Sequence, residues 1–393
     1  MEAKRVNGGV CAAGGFSAAA ATCGLKGGGI PDLGVIISRS KCTAAATFTT
    51  NAFRAAPILV TMEHLQEDGM LQAVVVNAGN ANAWTGQQGL WDARSMAELA
   101  ARETGVAPSD VAVASTGVIG RYMDMKKVSK GIVEACARLR EGNGGDVAQA
   151  IMTTDTYPKE AALQYEGFTL GGMAKGSGMI KPDMATMLAF ITTDAEISSE
   201  QLAAALRSAV DRTFNLITVD GCTSTNDMVL VMANGVSGNS VAAAEIEEPL
   251  YLVCSELARA IVDDGEGATR FITVRVHEAA SGDEAKRAAM AVAESPLLKT
   301  ALFGGDPNWG RVVQTLGQAL KDLDPAGVRV CMGGIAVAAA GAPVAVDTRS
   351  LESAMAEHDI VLDVFLGRGD AAIEVWTCDF SFDYVKINAE YST

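Results

Sequence analysis

Residues 175–194 read Lys175-Gly-Ser-Gly-Met-Ile-Lys-Pro-Asp-Met-Ala-Thr-Met-Leu-Ala-Phe-Ile-Thr-Thr-Asp194. The stretch changes character at Thr186. Upstream, Gly176, Gly178 and Pro182 mark a loop, because neither residue type suits the interior of a helix or strand. Downstream, Met187–Thr193 is an almost unbroken apolar run, the pattern of a strand covered on both faces. Runs of the same kind recur at Gly34–Ser38, Ala73–Asn77, Val111–Ser115, Val229–Asn234, Phe271–Val276, Val328–Met332, Ile360–Phe365 and Ala372–Trp376, and Ala56–Val60 reads the same way. Helical periods lie between several of them. Ser199–Arg212 puts Leu202, Ala205, Leu206 and Val210 on one stripe behind Ser198-x-x-Gln201, a capping box. Met125–Leu139 and Leu250–Ile261 repeat the period. Mixed strands and helices give an α/β or α+β layered class, with too irregular an alternation for a barrel or Rossmann sheet. Turn-rich Ser281-Gly-Asp and Gly304-Gly-Asp-Pro point to a boundary within Ala279–Asp306. The expected division is a main domain over 1–285 and a C-terminal subdomain over 286–393.

The chain has 393 residues, 49% hydrophobic and 20% charged, enough for a sizeable core and unlike a disordered chain. Lys plus Arg total 31 against 47 Asp plus Glu, a net charge of −16. That balance repels phosphate backbones and anionic lipid, so neither nucleic acid nor a membrane is expected as a partner. The eight cysteines form no C-x-x-C pair and read as reduced, mostly buried thiols. With three histidines and no H-x-x-x-H spacing, a metal site is not expected, and catalysis that needs a histidine base has few to choose from. Near the start, Lys4 and Arg5 precede an Ala/Gly run broken by Ser17 and Thr22, which lacks the apolar core of a signal peptide. The expectation is a soluble, cytoplasmic protein.

Polar and glycine punctuation is densest in Asn77-Ala-Gly-Asn-Ala-Asn-Ala-Trp-Thr-Gly86, Ser115-Thr-Gly-Val-Ile-Gly120, the loop after Lys175, Thr218-Val-Asp-Gly-Cys-Thr-Ser-Thr-Asn-Asp227 and Asp263-Asp-Gly-Glu-Gly-Ala-Thr-Arg270. Each borders an apolar run, where a rigid scaffold presents functional groups. Singly, each is an ordinary glycine turn. The spacing after Lys175 is not that of a P-loop, and no G-x-S-x-G elbow occurs.

In combination, the Lys175–Asp194 stretch, Thr116-Gly, Thr153-Thr-Asp-Thr, Thr218–Asp227, Asp264-Gly-Glu-Gly-Ala-Thr and Asp306-Pro-Asn-Trp-Gly-Arg closely resemble the ornithine acetyltransferases, the glutamate N-acetyltransferases of arginine biosynthesis. The resemblance runs from Asn7-Gly-Gly-Val to Asn388-Ala-Glu-Tyr-Ser-Thr393. Cys222 departs from it, standing where members usually carry Asp. The resemblance implies an αββα sandwich of the self-processing aminopeptidase/ornithine acetyltransferase type with a smaller C-terminal subdomain. It implies self-cleavage between Ala185 and Thr186 into an α chain (1–185) and a β chain (186–393), assembled as α2β2. Thr186 is then the nucleophile, taking acetyl from N-acetylornithine and giving it to glutamate. Thr116 and Gly117 supply the oxyanion hole, and Thr153, Lys175, Thr186, Glu266, Asn388 and Thr393 contact substrate. No cofactor is implied; whether acetyl-CoA also serves as donor is left open.

The residues suit that chemistry. A threonine hydroxyl is a weak nucleophile that needs a nearby base. Cleavage before Thr186 would free its α-amino group, whose reference pKa of about 7.7–8.0 lets it accept the hydroxyl proton. Scarce histidine then poses no obstacle. Lys175 is the natural partner for a substrate carboxylate and Glu266 for an ammonium. Phe382–Asn388 alternates like a strand, which would tether the chain end to the sheet. Taken alone, a threonine leading into a strand is a structural residue. The rival readings are an N-terminal-nucleophile amidase or aminopeptidase of related fold, with water as acceptor, and a small-molecule binding protein that is not cleaved.

Overall fold

The computed structural model describes residues 3–181 and 187–390. The chain forms two compact units, one taking residues up to Asn215 together with Cys222–Ile261, the other Leu216–Gly221 and the residues from Val262 on.

The first unit holds nine strands: β1 (Lys4–Arg5), β2 (Phe16–Ala21), β3 (Leu33–Phe48), β4 (Met70–Asn80), β5 (Val111–Val118), β6 (Lys159–Tyr165), β7 (Phe168–Lys175), β8 (Leu188–Thr193) and β9 (Met228–Ala233). They join in the order β1-β6-β7-β8-β9-β3-β4-β5, with β2 also paired to β3. The 16-residue β3 is the hinge of the sheet. Leu33–Ile37 pairs β2 and β4, Thr43–Phe48 pairs β9, and the register shifts between Ile37 and Cys42. Such an irregularity bends a strand. One core cluster accordingly takes Ile36, Val74 and Val76 from one half of the sheet and Met173, Phe190 and Leu230 from the other.

Helices cover the outer faces. Val60 of α1 (Ala56–Asp68), Met96 of α2 (Gly86–Thr104) and Ile132 of α3 (Met125–Cys136) pack with Val35, Val75 and Val113. The alternation within β4 explains its unbroken apolar run: Val74 and Val76 enter the core between the sheet halves, Ala73 and Val75 the one beneath the helices. After α4 (Gly144–Ala150) and α5 (Ser199–Asp211), α6 (Ala243–Asp263) lays Val253 and Leu257 against Gly172 of β7. The layering is helix–sheet–sheet–helix, the αββα arrangement of an α/β protein. Ser198 caps α5 by accepting the Gln201 N–H, as its spacing suggests.

Ala56–Val60 is a correction, for it opens α1 and is not a strand. Pro57 presets helical φ in the first turn, where no N–H is needed. A five-residue apolar run does not distinguish the two. Thr61 of this helix closes the free edge of β5, donating to Val113 O and accepting from Val113 N, both at 2.8 Å.

The second unit contains β10 (Phe271–Ala279), α7 (Gly282–Glu294), α8 (Pro296–Phe303), α9 (Trp309–Ala319), β11 (Arg329–Met332), β12 (Ile335–Ala339), β13 (Ala342–Pro343), α10 (Thr348–Ala356), β14 (Asp359–Phe365), β15 (Ala371–Cys378) and α11 (Phe382–Glu390). Its sheet runs β13-β12-β11-β14-β10-β15. The unit starts upstream of residue 286, because β10 pairs with β14 and β15. The turn-like residues between Ala279 and Asp306 cap helices instead of separating domains: Ser281 caps α7 and Ser295 caps α8. Phe382–Asn388, expected as a strand, lies in helix α11. Among the described residues, no helix is long and apolar enough to cross a membrane.

Candidate active site

Thr116 and Gly117 end β5, which runs parallel to β4 with Thr116 beside Ala78 and Gly117 beside Gly79. Both glycines have positive φ, +127° and +98°. A Cβ on Gly117 would stand 2.5 Å from the Gly79 carbonyl carbon, so close an approach of two backbones admits only glycine. A net of buried side chains holds the turns beyond. Ser115 Oγ donates to Asn77 Oδ1 at 2.6 Å, and Asn77 Nδ2 to Asn80 O at 2.9 Å. Asn226 Nδ2 reaches both Ala81 O (2.7 Å) and Ser115 O (2.8 Å). Three of the polar loops noted in the sequence, Asn77–Gly86, Ser115–Gly120 and Thr218–Asp227, are thus tied to one another, and a satisfied net of this kind fixes one geometry.

Lys175, the last residue of β7, is buried and its Nζ lies 3.4 Å from Thr116 Oγ1. In the β7–β8 ladder it faces Leu188, so Thr116 and Lys175 stand beside the strand into which Thr186 leads. Ala185 and Thr186 themselves lie outside the described residues, as does Thr393.

Two buried carboxyls near this lysine are shifted in opposite directions. Asp155 accepts from Lys159 Nζ (2.7 Å), Gly176 N (2.7 Å) and Thr153 N (2.9 Å). One carboxylate therefore joins the Thr153 turn to the Lys175–Gly176 turn. Burial pulls its pKa upward, but Lys175 and Lys159 outweigh that and hold Asp155 well below the usual carboxylate range. Asp227 is fully buried, and burial pushes its carboxyl well above that range, against the weaker opposite pull of the Met187 N–H, Lys175, Ser224 and Thr49. Its Oδ1 accepts from Met187 N at 3.0 Å. Neither aspartate is singled out by the sequence reading, although Thr153-Thr-Asp-Thr and Thr218–Asp227 contain them. Thr153 and Lys159 are near Asp155 in the chain, but Gly176 and Lys175 beside it, and Met187, Thr49 and Lys175 beside Asp227, are distant.

In the second unit, Glu266 is buried, and its Oε2 accepts from Asn388 Nδ2 at 2.7 Å. Gly267, with φ +68°, lets α11 approach: a Cβ there would come within 2.5 Å of Tyr384 N. These two positions, each implied by the resemblance to contact substrate, are thus brought together, Asn388 on a helix where a strand was expected. Cys222 is exposed, while only Cys42, Cys254 and Cys378 among the cysteines are fully buried.

Fold and site together define an α/β protein of layered helices and sheets in whose first unit the ends of β5 and β7 and the residues before β9 meet beside the head of β8. The model of the ArgJ family matches residues 17–393, and the chain belongs to that family. It is 48% identical to the arginine biosynthesis bifunctional protein ArgJ of Symbiobacterium thermophilum, over 98% of this chain and 99% of that protein. It is 45% identical to a glutamate N-acetyltransferase of Methanothermobacter thermautotrophicus, over 100% of this chain and 99% of that one. Among solved structures it is similar to an ornithine acetyltransferase complexed with ornithine from Mycobacterium tuberculosis, at 38% identity and a TM-score of 0.44, covering 46% of this chain and 98% of that one.

Proposed function

We propose that the protein is a glutamate N-acetyltransferase that moves acetyl from N-acetylornithine to glutamate in arginine biosynthesis, acting in the cytoplasm as an α2β2 assembly. Family membership supports the reading. The observation that carries it is the meeting of the Thr116–Gly117 strand end with Lys175, beside the strand that Thr186 enters.

The chain first opens itself. Thr186 Oγ attacks the Ala185 carbonyl carbon, the peptide C–N bond breaks as the nitrogen takes a proton, and water hydrolyses the resulting ester to free the Thr186 hydroxyl and amine. In turnover, the hydroxyl attacks the acetyl carbonyl of N-acetylornithine while the α-amino group takes its proton and passes it to the departing ornithine amine. Glutamate's amine then attacks the acetyl ester, giving N-acetylglutamate and free Thr186. Each step develops an oxyanion, for which the Thr116 hydroxyl and Gly117 N–H are the donors. Thr153, Lys175, Glu266, Asn388 and Thr393 serve as the substrate contacts. Acetyl-CoA as an additional donor is settled by assay alone.

Intact-mass measurement of the purified protein, followed by the acetylornithine–glutamate assay with and without acetyl-CoA, tests the reading. Two chains of 1–185 and 186–393 and formation of acetylglutamate are expected, and Thr186→Ala should give one inactive chain. A folded wild-type protein that stays intact and inactive overturns it, and release of free acetate alone favours the amidase reading.

A further inference from the structure

We propose that Asp227 positions the nucleophile: its carboxyl accepts the N–H of the peptide that follows Thr186 and thereby fixes that residue at the paired heads of β8 and β9. The inference rests on the functional reading above. Met187 N is bonded to the Thr186 carbonyl carbon, so the 3.0 Å contact from Met187 N to Asp227 Oδ1 acts one bond from the nucleophilic residue. The site is built on regular structure. Leu188 and Met228 are partners in the parallel β8–β9 ladder, and Met228 N donates to Met187 O at 3.2 Å. Asp227 and Met187 are thus the residues just before two registered strands, and Met187, the residue after Thr186, is held through both its N–H and its C=O. On the other side of Asp227, its backbone carbonyl accepts from Thr49 N at 3.1 Å, and Asn226 is anchored to Ala81 and Ser115. A chain of hydrogen bonds therefore runs from the Ser115–Gly117 strand end to the peptide after Thr186.

Asp227 is an unusual choice for a purely structural acceptor. It is fully buried, and its Oδ2 has no hydrogen-bond partner among the described residues. Burying a carboxyl so poorly satisfied is unfavourable, and such residues concentrate where chemistry needs them. The groups around it are Lys175, the Ser224 and Thr49 hydroxyls and the Met187 N–H. Burial shifts this carboxyl towards its neutral form, which lessens the negative charge it places beside the peptide after Thr186.

The test uses the full-length protein with Asp227→Asn and Asp227→Leu. Asn keeps an uncharged acceptor for Met187 N, whereas Leu keeps the volume and removes the acceptor. For Asp227→Asn, kcat should stay within about threefold of wild type, with KM and the pH profile of kcat unchanged. Asp227→Leu should lower kcat about 10- to 100-fold, the scale of a displaced reacting group, with KM within about twofold and Ala185–Thr186 cleavage slowed in parallel. Wild-type kcat in the Leu variant, or an Asn variant that melts at least as high as wild type yet is as slow as the Leu variant, overturns the proposal. Should the Leu variant not fold, the Asn variant's kcat and pH profile still decide. The wild-type control separates the two ideas: if it neither cleaves nor transfers acetyl, the functional reading fails and this inference with it. An active wild type with an unaffected Leu variant sinks the inference alone.

Discussion

Replacing Asp155 by Ala removes a carboxylate that faces Lys159 Nζ at 2.7 Å, with neither side chain exposed. It also removes the acceptor of the Gly176 and Thr153 N–H groups, at 2.7 and 2.9 Å. Breaking one side of a buried ion pair costs about 3–5 kcal/mol, because the remaining charge stays buried. For a unit of this size a kilocalorie corresponds to about 2–4 °C, so the first unit should melt about 6–20 °C lower. Loosening of the Thr153 and Lys175 turns should also raise KM for acetylornithine. Asp155→Asn adds the pH dependence. Lys175 and Lys159 overcome the upward pull of burial and depress the folded pKa, whereas the unfolded value is about 3.9. The charge therefore stabilises fully above the unfolded value and is lost as pH falls through about 4 towards the folded one. The gap between wild type and Asp155→Asn, followed by urea unfolding, should be constant near neutrality and shrink on acidification. An Asp155→Ala variant within 1 kcal/mol of wild type at pH 7, or a gap that widens in acid, refutes the reasoning.

Thr116→Ala should lower kcat by about 10²–10³-fold, the usual effect of losing one oxyanion donor, with KM little changed; steady-state kinetics with an unaltered kcat would remove Thr116 from the site. Asn388→Ala loses the 2.7 Å bond to Glu266 Oε2 from an exposed position. The stability loss should stay below about 1 kcal/mol, while KM for the amino-acid substrates rises about five- to tenfold. An unchanged KM would make the Glu266–Asn388 pair a local helix tie.

Most strands were legible because their burial on both faces leaves unbroken apolar runs, as in β8, where every residue is buried. The same logic misread Ala56–Val60, whose apolar residues serve a helix lying between two core clusters. A short alternation misread Phe382–Asn388, which lies in helix α11 and packs its backbone close to Gly267. The domain boundary failed for a related reason: Ser281 and Ser295 are caps, and only the pairing of β10 with β14, about 90 residues on, shows where β10 belongs. At the site, Lys175 and Thr116 were found as members of motifs. Their mutual distance, and the division of charge between Asp155 and Asp227, depend on contacts that no local pattern encodes.

That division has a consequence for stability. Both aspartates are buried near Lys175, yet Asp155 has a second lysine and two backbone donors, whereas Asp227 has one backbone donor on Oδ1 and none on Oδ2. Lys175 and Lys159 therefore draw Asp155 towards its charged form, while burial draws Asp227 towards its neutral one. A carboxyl whose folded pKa lies above its unfolded value, about 3.9, binds a proton in the native state that the unfolded chain has released. Stability then falls as pH rises from about 4 towards the folded pKa, the reverse of Asp155. Asparagine has no proton to lose. Asp227→Asn should thus match wild type near pH 4 and become progressively the more stable of the two towards neutral pH, measured by urea unfolding of both proteins at each pH. A difference that stays flat, or that moves in favour of wild type as pH rises, would mean that Asp227 ionises in the folded protein as readily as outside it, and that Lys175 is shared between the two carboxylates.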